Sequence, residues 1–415
     1  MRILSAKAFT TCLQECEAFA RRLSDGSPKS RTLVCIFALL ILFLRLPSTF
    51  LRPEFWAEDG PLISAAYNNG WASLTEPLGG AYFNIYGSIV AKIAMAFPPA
   101  AWPWVTMYGA HVAVVITVLV VTSPRLDLPY RGLAALALVA TPQREIFDSL
   151  ANAQWVLMIV VFVMPFLKAH KSRLILLGDA SLVVLTGLEG PFVAFVIPIY
   201  CWRIYSTTGP DRMRLLLLLP LAAGCAAIQI IIVSQGSHFD LIEPEYYNSL
   251  IWIFAPIRWL DGIRAAGIFV HHPLIMTIGS IIMMTGAVAL AVRDNFREIK
   301  IGMLIFAGSI LYAGLYKFRN HVELFSNDRY IYSGSVFFFW YIGCLAALLK
   351  PHRRVASNAV VAILVTLICW NVGRKVGEYR VGTSTDWSKY SNIIGTRPLH
   401  IIIAPSSNWS ISLQH

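Results

Sequence analysis

Long apolar runs separated by short polar stretches recur along this 415-residue chain, from about residue 32 to residue 373. A helix needs about 20 apolar residues to cross the hydrocarbon core of a bilayer. The pattern therefore predicts an all-α polytopic membrane protein, a bundle of about 11 transmembrane helices. The candidate spans are residues 32–50, 83–97, 101–122, 130–142, 153–168, 174–188, 191–205, 213–234, 273–292, 300–318, 331–349 and 355–373.

The segments that flank this spanning domain, 32–373, have different patterns. In residues 1–31, apolar side chains recur at helical spacing and basic residues surround them, which predicts an amphipathic helix on the cytoplasmic membrane surface. The tail, 374–415, contains Leu399–Pro405 and Ser406–Ile411, which read as one or two short strands with a turn.

The orientation follows from the basic loops, because Lys and Arg concentrate in cytoplasmic loops. Residues 168–173, 203–214, 293–300 and 350–354 are basic and are predicted to lie inside together with the N-terminus; the C-terminal tail then lies outside. Residues 250–272 read as an interfacial helix on the outer side.

The number of spans in the first third of the chain is ambiguous. Counting both 83–97 and 101–122 as full spans would put Arg125 and Arg131 outside, against the rule that basic residues lie inside. Either 83–97 or 130–142 is therefore expected not to span, and the pattern leaves that choice open.

The composition supports a membrane protein and excludes other classes. Hydrophobic residues make up 57% of the chain and charged residues 14%, against about 25% charged in ordinary soluble domains. The net charge of +11 is explained by the basic loops, so no nucleic-acid partner is expected. Most of the seven Cys lie in apolar runs and predict neither disulfides nor a zinc site.

An acidic cluster follows the first span, in the sequence Arg52-Pro-Glu-Phe-Trp-Ala-Glu-Asp-Gly-Pro61. Glu54, Glu58 and Asp59 lie beside Trp56 at the predicted outer surface. Such a carboxylate could act as a general base for an acceptor hydroxyl. The cluster could also bind a divalent cation, although metal use is left open. The alternative is that acidic residues are simply common on outer loops.

The W-A-E-D-G stretch at Trp56–Gly60 resembles the start of the GT-C fold glycosyltransferases, polytopic enzymes that take sugars from polyprenyl-phosphate carriers. Their first external loop, here 51–82, carries one or two acidic catalytic residues. The resemblance implies that Asp59, alone or together with Glu58, is the base and that transfer inverts the anomeric centre. It also implies a bacterial inner membrane and an extracytoplasmic glycan, lipid or protein acceptor. The long soluble C-terminal domain of some members is missing.

Two further motifs are candidates for sugar or acceptor binding, together with Trp56. Asn152, Gln154 and Trp155 open a span at its outer end and offer two amides and a flat ring, although an interfacial Trp is also an ordinary membrane anchor. Glu189 lies between two apolar runs. It is either an intramembrane functional carboxylate or part of a surface hairpin.

Basic residues near 317–330 are candidates for holding the donor phosphate at the outer end of two spans. Arg suits bidentate contacts with phosphate, while snorkelling cations at a membrane rim are the alternative. The candidates are Arg329, Arg319, Lys317, His321 and Tyr330.

The function expected from these residues is transfer of a sugar from a polyprenyl-phosphate donor to an extracytoplasmic acceptor. A transporter or flippase of a lipid-linked or anionic substrate is the alternative, and a polysaccharide polymerase or ligase is a third possibility. A transporter would place charged groups along a pathway at mid-depth and would not need Glu58 and Asp59 at the bilayer surface.

Overall fold

The structure is a computed structural model. It describes residues 6–143, 145–147, 149–235, 281–282, 284–289, 291–292, 296–317, 328–377, 385–404 and 409–414. The chain is 74% helical. Among the described residues, four helices are long and apolar enough to cross a membrane: 99–121, 209–235, 329–349 and 354–374. The prediction of a helical membrane protein is confirmed at this level, and the count of about 11 spans stays a prediction.

The helices follow the predicted apolar runs closely, with shorter bounds in the first third of the chain. The α-helices whose bounds the described residues define are α1 (Ala6–Arg22), α2 (Pro28–Arg45), α3 (Pro47–Leu51), α4 (Asp59–Asn68), α5 (Ile85–Ala94), α6 (Trp102–Val121), α7 (Arg131–Ala140), α8 (Ala153–Val163), α9 (Arg173–Gly187), α10 (Ile197–Ser206), α11 (Gly209–Gln235), α12 (Arg297–Lys317), α13 (Tyr332–Leu349), α14 (Arg354–Arg374) and α15 (Ser388–Ser391). Strands β1 (Leu399–Ile402) and β2 (Ser410–Leu413) pair antiparallel in the tail.

Most of the predicted basic loops meet at one end of the helical body, which we call the basic end (residues 21–31, 123–131, 166–173, 203–214, 297–300 and 350–354). Arg203 pairs with Glu298, and the amide of Ala169 donates to Asp211. Arg125 donates to the carbonyl of Lys168. The structure thus gathers at one end the loops that the charge pattern assigns to one side.

The contacts of Arg131 and of α5 show where the two short apolar segments lie in the helical body. Its guanidinium donates to the carbonyl of Ser24, beside the N-terminal helix, so α7 begins at the basic end. Helices α5 and α7 have ten residues each, so their lengths do not distinguish them. At the start of α5, Asn84 donates to the carbonyl of Ala151, whose amide donates to Asp59. Beyond its end, Pro99 accepts from Trp387, whose ring meets Phe55 edge-on. Both ends of α5 therefore lie near the acidic loop. Segment 83–97 therefore does not connect the two ends.

The N-terminal helix is part of the helical body. α1 packs against α14 and, less extensively, against α7. Leu13, Ala20 and Leu23 are buried, and Glu17 pairs with Arg21 and with Lys350 at the start of the loop before α14. The predicted amphipathic helix is present, and its apolar side faces protein.

A buried ion cluster ties three segments together at the basic end. Arg125 donates two hydrogen bonds to Asp179, at 2.9 and 2.6 Å, and Arg214 donates a third at 2.6 Å. Arg214 also donates to the carbonyls of Met164 and Leu167, which follow α8. Asp179 and Arg214 are each 4% exposed, so water cannot replace these bonds.

The Asp179→Asn variant is expected to lose stability, because it leaves two arginines without their buried carboxylate. Removing one partner of such a pair typically costs about 3–5 kcal/mol. The measurement is the thermal unfolding midpoint of the purified full chain in detergent. Asp127→Asn is the control: its pair with Lys168 is exposed, and such pairs contribute little. Equal midpoints for the two variants would contradict the assigned role of Asp179.

Candidate functional site

The acidic loop after α3 adopts a tight turn that separates the side chains of Glu58 and Asp59. Ala57 has a left-handed backbone, with φ of 44°, which is uncommon for a residue with a Cβ atom. Its amide donates to the carbonyl of Ala404 in the tail, at 2.7 Å. This turn leaves Glu58 at the N-cap of α4 and Asp59 as the first helical residue, where negative charge is favoured by the helix dipole.

Asp59 is a buried anchor. Asp59 is only 1% exposed to solvent. One carboxylate oxygen accepts from the amide of Trp56 at 3.0 Å, and the other accepts from the amide of Ala151 at 3.1 Å. The carboxylate therefore joins the first loop to the segment that precedes α8.

Glu58 has different surroundings from its neighbour. Its side chain is 22% exposed, and its Oε1 atom lies 3.1 Å from Nη1 of Arg329. This ion pair joins residues that are 271 positions apart in the chain. The structure thus brings Glu58 together with the arginine that the sequence analysis assigned to the same site.

Arg329 and Tyr330 lie in a short 3-10 segment, Asp328–Ile331, directly before α13. The Tyr330 ring meets the Trp155 ring edge-on, with centroids 5.0 Å apart, and Trp155 also contacts Phe192 at 4.9 Å. A Cβ atom at Gly314 would lie only 2.6 Å from Tyr330. The aromatic packing and this glycine hold the 3-10 segment against α8 and α12.

The two amides of the Asn152–Trp155 motif have separate roles. Asn152 is 3% exposed and donates to the carbonyl of Glu145 at 2.9 Å. Gln154 donates to the hydroxyl of Tyr82 at 2.8 Å. A Cβ atom at Gly190, whose φ is +85°, would lie 2.6 Å from Oε1 of Gln154. The motif is therefore built into the structure next to the ion pair.

Glu189 is buried and caps a helix. Its Oε2 accepts from the amide of Tyr86 at 2.6 Å, while Asn84 accepts from Gly87 at 3.0 Å, so both side chains satisfy the first turn of α5. The residue is fully buried, which contradicts the alternative of a surface hairpin. Burial raises the pKa of the Glu189 carboxyl well above its usual range.

Tyr82 belongs to this site and was missed in the sequence. The electrostatic influence of Glu58 and Arg329 reaches its hydroxyl, and desolvation raises the pKa of that phenol above its usual value. The next residue, Phe83, is clamped by Gln229 of α11, which accepts from its amide and donates to its carbonyl. Gln229 is a single polar residue in a long apolar run, which was the available signal. Nothing in the sequence indicated that its partner is the backbone of Phe83.

The remaining predicted residues lie at the edge of what the structure describes. Trp56 is half-buried and pairs through its backbone with Ala404. Lys317 ends α12, and only its backbone is described. Arg319 and His321 lie outside the described residues, as do the predicted interfacial helix 250–272 and half of the predicted span 273–292.

The arrangement combines groups that suit a sugar phosphate. The partly exposed Glu58 can accept a proton, the guanidinium of Arg329 can contact phosphate oxygens, and Tyr82 and Gln154 can bond hydroxyl groups. Among the residues that the structure describes, no group of three or more His, Cys, Asp or Glu side chains is placed to hold a metal ion.

No protein-family model, curated protein or solved structure matches this chain.

Proposed function

We propose that this protein is a membrane glycosyltransferase of the GT-C type, which moves a sugar from a polyprenyl-phosphate donor to an extracytoplasmic glycan, lipid or protein hydroxyl. The site would face the outer side of a bacterial inner membrane. The observation that carries the proposal is the contact of 3.1 Å between Glu58 and Arg329. It joins a candidate base to a candidate phosphate ligand that lies 271 positions further along the chain.

Glu58 is the better candidate for the base. General-base catalysis needs a carboxylate oxygen within hydrogen-bond reach of the acceptor hydroxyl. The oxygens of Asp59 already accept from two backbone amides and are buried, whereas Glu58 is partly exposed. In this proposal Glu58 takes the proton of the acceptor, and Asp59 positions the turn that presents Glu58.

Arg329 is proposed to hold the phosphate that leaves with the lipid. A guanidinium has five N–H donors, so Arg329 can contact phosphate oxygens in addition to Glu58. Positive charge at that point stabilises the negative charge that develops on the leaving group. Lys317, Arg319, His321 and Tyr330 remain proposed neighbours of the same phosphate.

An apolar cavity whose lining on α13 begins at Gly334 supports a lipid-linked donor. Its volume is about 280 Å³, and it lies between α12 and α13 and the neighbouring residues Ile282 and Ala287. Its wall on α13 runs from Gly334 to Leu345, about 16 Å at helical rise. Gly334 lies little more than one turn beyond Arg329, so a lipid tail could enter the cavity while its phosphate stays at the guanidinium.

Arg329→Ala is expected to raise the donor KM of the purified chain by about ten- to hundredfold, because a hydrogen bond to a charged group contributes about 1.5–3 kcal/mol. Arg329→Lys should recover part of the loss. The assay follows release of polyprenyl phosphate from polyprenyl-phosphate hexose and pentose donors in detergent. Arg397→Ala is the control, since Arg397 is an exposed arginine in the tail. An unchanged donor KM and kcat for Arg329→Ala would contradict the phosphate role.

The function as a whole is tested by comparing a deletion strain with its parent. We expect the surface glycan of the deletion strain to lack one sugar. We also expect the polyprenyl phosphate that carries this sugar to accumulate. Movement of an intact lipid-linked sugar across vesicles containing the purified chain, with no release of carrier phosphate, would favour a transporter and overturn the proposal.

A further inference from the structure

A second cavity, lined mostly by polar side chains, lies at the basic end. It occupies about 500 Å³ between α1 and the start of α14, and its lining residues are Gln14, Glu17, Ala18, Arg21, Arg354 and Asn358. The α1 residues recur at spacings of three and four, which places them on one face of that helix. The cavity is thus a product of how α1 packs on α14.

The cavity carries an excess of positive charge. Glu17 is neutralised by Arg21 and Lys350. Arg354 adds a further positive charge, and it makes no hydrogen bond or ion pair with the residues that the structure describes. The cavity also includes the first turn of α14, whose N-cap residue makes no side-chain capping bond. Backbone amides at such a terminus favour an anion.

A buried amide with an unmet hydrogen bond lines the same cavity. Asn358 is 6% exposed, and its Oδ1 atom has no partner among the described residues. Buried polar groups are usually satisfied, because an unmade bond costs about 1–3 kcal/mol. The missing partner must donate a hydrogen bond, so the expected ligand combines an anion with a nearby hydroxyl or ammonium group.

Exposed apolar side chains flank the cavity on both helices. Phe19, next to Ala18, is 43% exposed, and Val355, next to Arg354, is 62% exposed. An apolar rim around a cationic pocket is the arrangement expected for a phospholipid, whose chains contact the rim while the headgroup enters the pocket. The positive charge disfavours a headgroup with an ammonium and favours one with hydroxyls.

We infer that this cavity binds the headgroup of an anionic phosphoglycerol lipid from the leaflet at the basic end. The phosphate lies by Arg354, Arg21 and the first turn of α14, and a glycerol hydroxyl donates to Asn358. The lipid fastens α1 to α14 and so stabilises the basic end of the protein. This site does not depend on the proposed glycosyltransferase activity.

The test measures retention of lipid by the purified, delipidated full chain in neutral detergent, using native mass spectrometry and the thermal midpoint. Phosphatidylglycerol should bind and raise the midpoint, and phosphatidylcholine should not. Arg354→Gln should weaken phosphatidylglycerol binding about tenfold, as expected for a lost bond to a charged group. Arg173→Gln is the matched control, because Arg173 is also an exposed arginine that opens a helix. Equal losses in both variants would mean a non-specific surface charge effect and would overturn the inference.

Two further arms identify the ligand. Phosphatidylmethanol has the same charge without the headgroup hydroxyls, so the parent protein should prefer phosphatidylglycerol and Asn358→Ala should lose that preference. If the parent binds both lipids equally, the role of Asn358 is wrong. Glycerol 3-phosphate and inorganic phosphate are the soluble probes. If either one raises the midpoint as much as phosphatidylglycerol does, the site takes a soluble phosphoester and the lipid assignment is overturned.

Discussion

The Glu58→Gln protein is expected to fold and insert as the parent does and to lose sugar transfer by about 10²- to 10⁴-fold, the usual contribution of a general base. Glutamine has nearly the same shape and can still accept a bond from Arg329, but it cannot take a proton from an acceptor hydroxyl. The partial exposure of Glu58 means that folding does not depend on its charge. The measurement is kcat for release of polyprenyl phosphate, together with the thermal midpoint.

Two matched substitutions separate catalysis from structure. Asp59→Asn should lower the thermal midpoint as well as transfer, because an amide has one acceptor oxygen where Asp59 uses two. Glu76→Gln should change neither, since Glu76 accepts a bond from Asn69 and an amide can accept that bond too. Normal turnover by Glu58→Gln, with lost turnover but an unchanged midpoint in Asp59→Asn, would reverse the proposed roles.

Removing the C-terminal hairpin is expected to abolish transfer. A chain that ends at Pro398 loses the bond from Ala57 to Ala404 and the contacts of β2 with α4, where Ser412 bonds Ser64 and Asn68. The strained turn at Ala57 is held by that tail, and without it Glu58 has no fixed position beside Arg329. Turnover and the thermal midpoint of the shortened chain are the measurements.

A substitution at Gly60 tests the same contact between the tail and α4 without shortening the chain. A Cβ atom there would lie 2.3 Å from the carbonyl oxygen of Ser410, so Gly60→Ala should push β2 away from α4 and reduce transfer. Gly178→Ala is the control, because a Cβ at Gly178 has no atom within 4 Å. Parental turnover in both the shortened chain and Gly60→Ala would show that the tail does not position the loop.

The charge pattern was sufficient to group the basic loops, because charged residues must leave the hydrocarbon region wherever they occur in the chain. It could not choose between 83–97 and 130–142, since both are short apolar runs. The choice depends on contacts between distant residues, such as Arg131 with Ser24. The same limit applies to Glu189, whose role became clear only when its partner, the first turn of α5, was known.

The sequence alone determined that the chain is mostly helical and suited to a bilayer, that the tail contains one or two short strands, and that Glu58, Asp59 and Arg329 are candidate site residues. Hydropathy and local turn chemistry are properties of neighbouring residues, so the sequence carries them directly. Only the tertiary structure decided that Asp59 is buried while Glu58 meets Arg329, and that Tyr82 joins the site. Burial and pairing depend on which distant segments pack together, and adjacent residues with the same charge do not differ until that packing separates them.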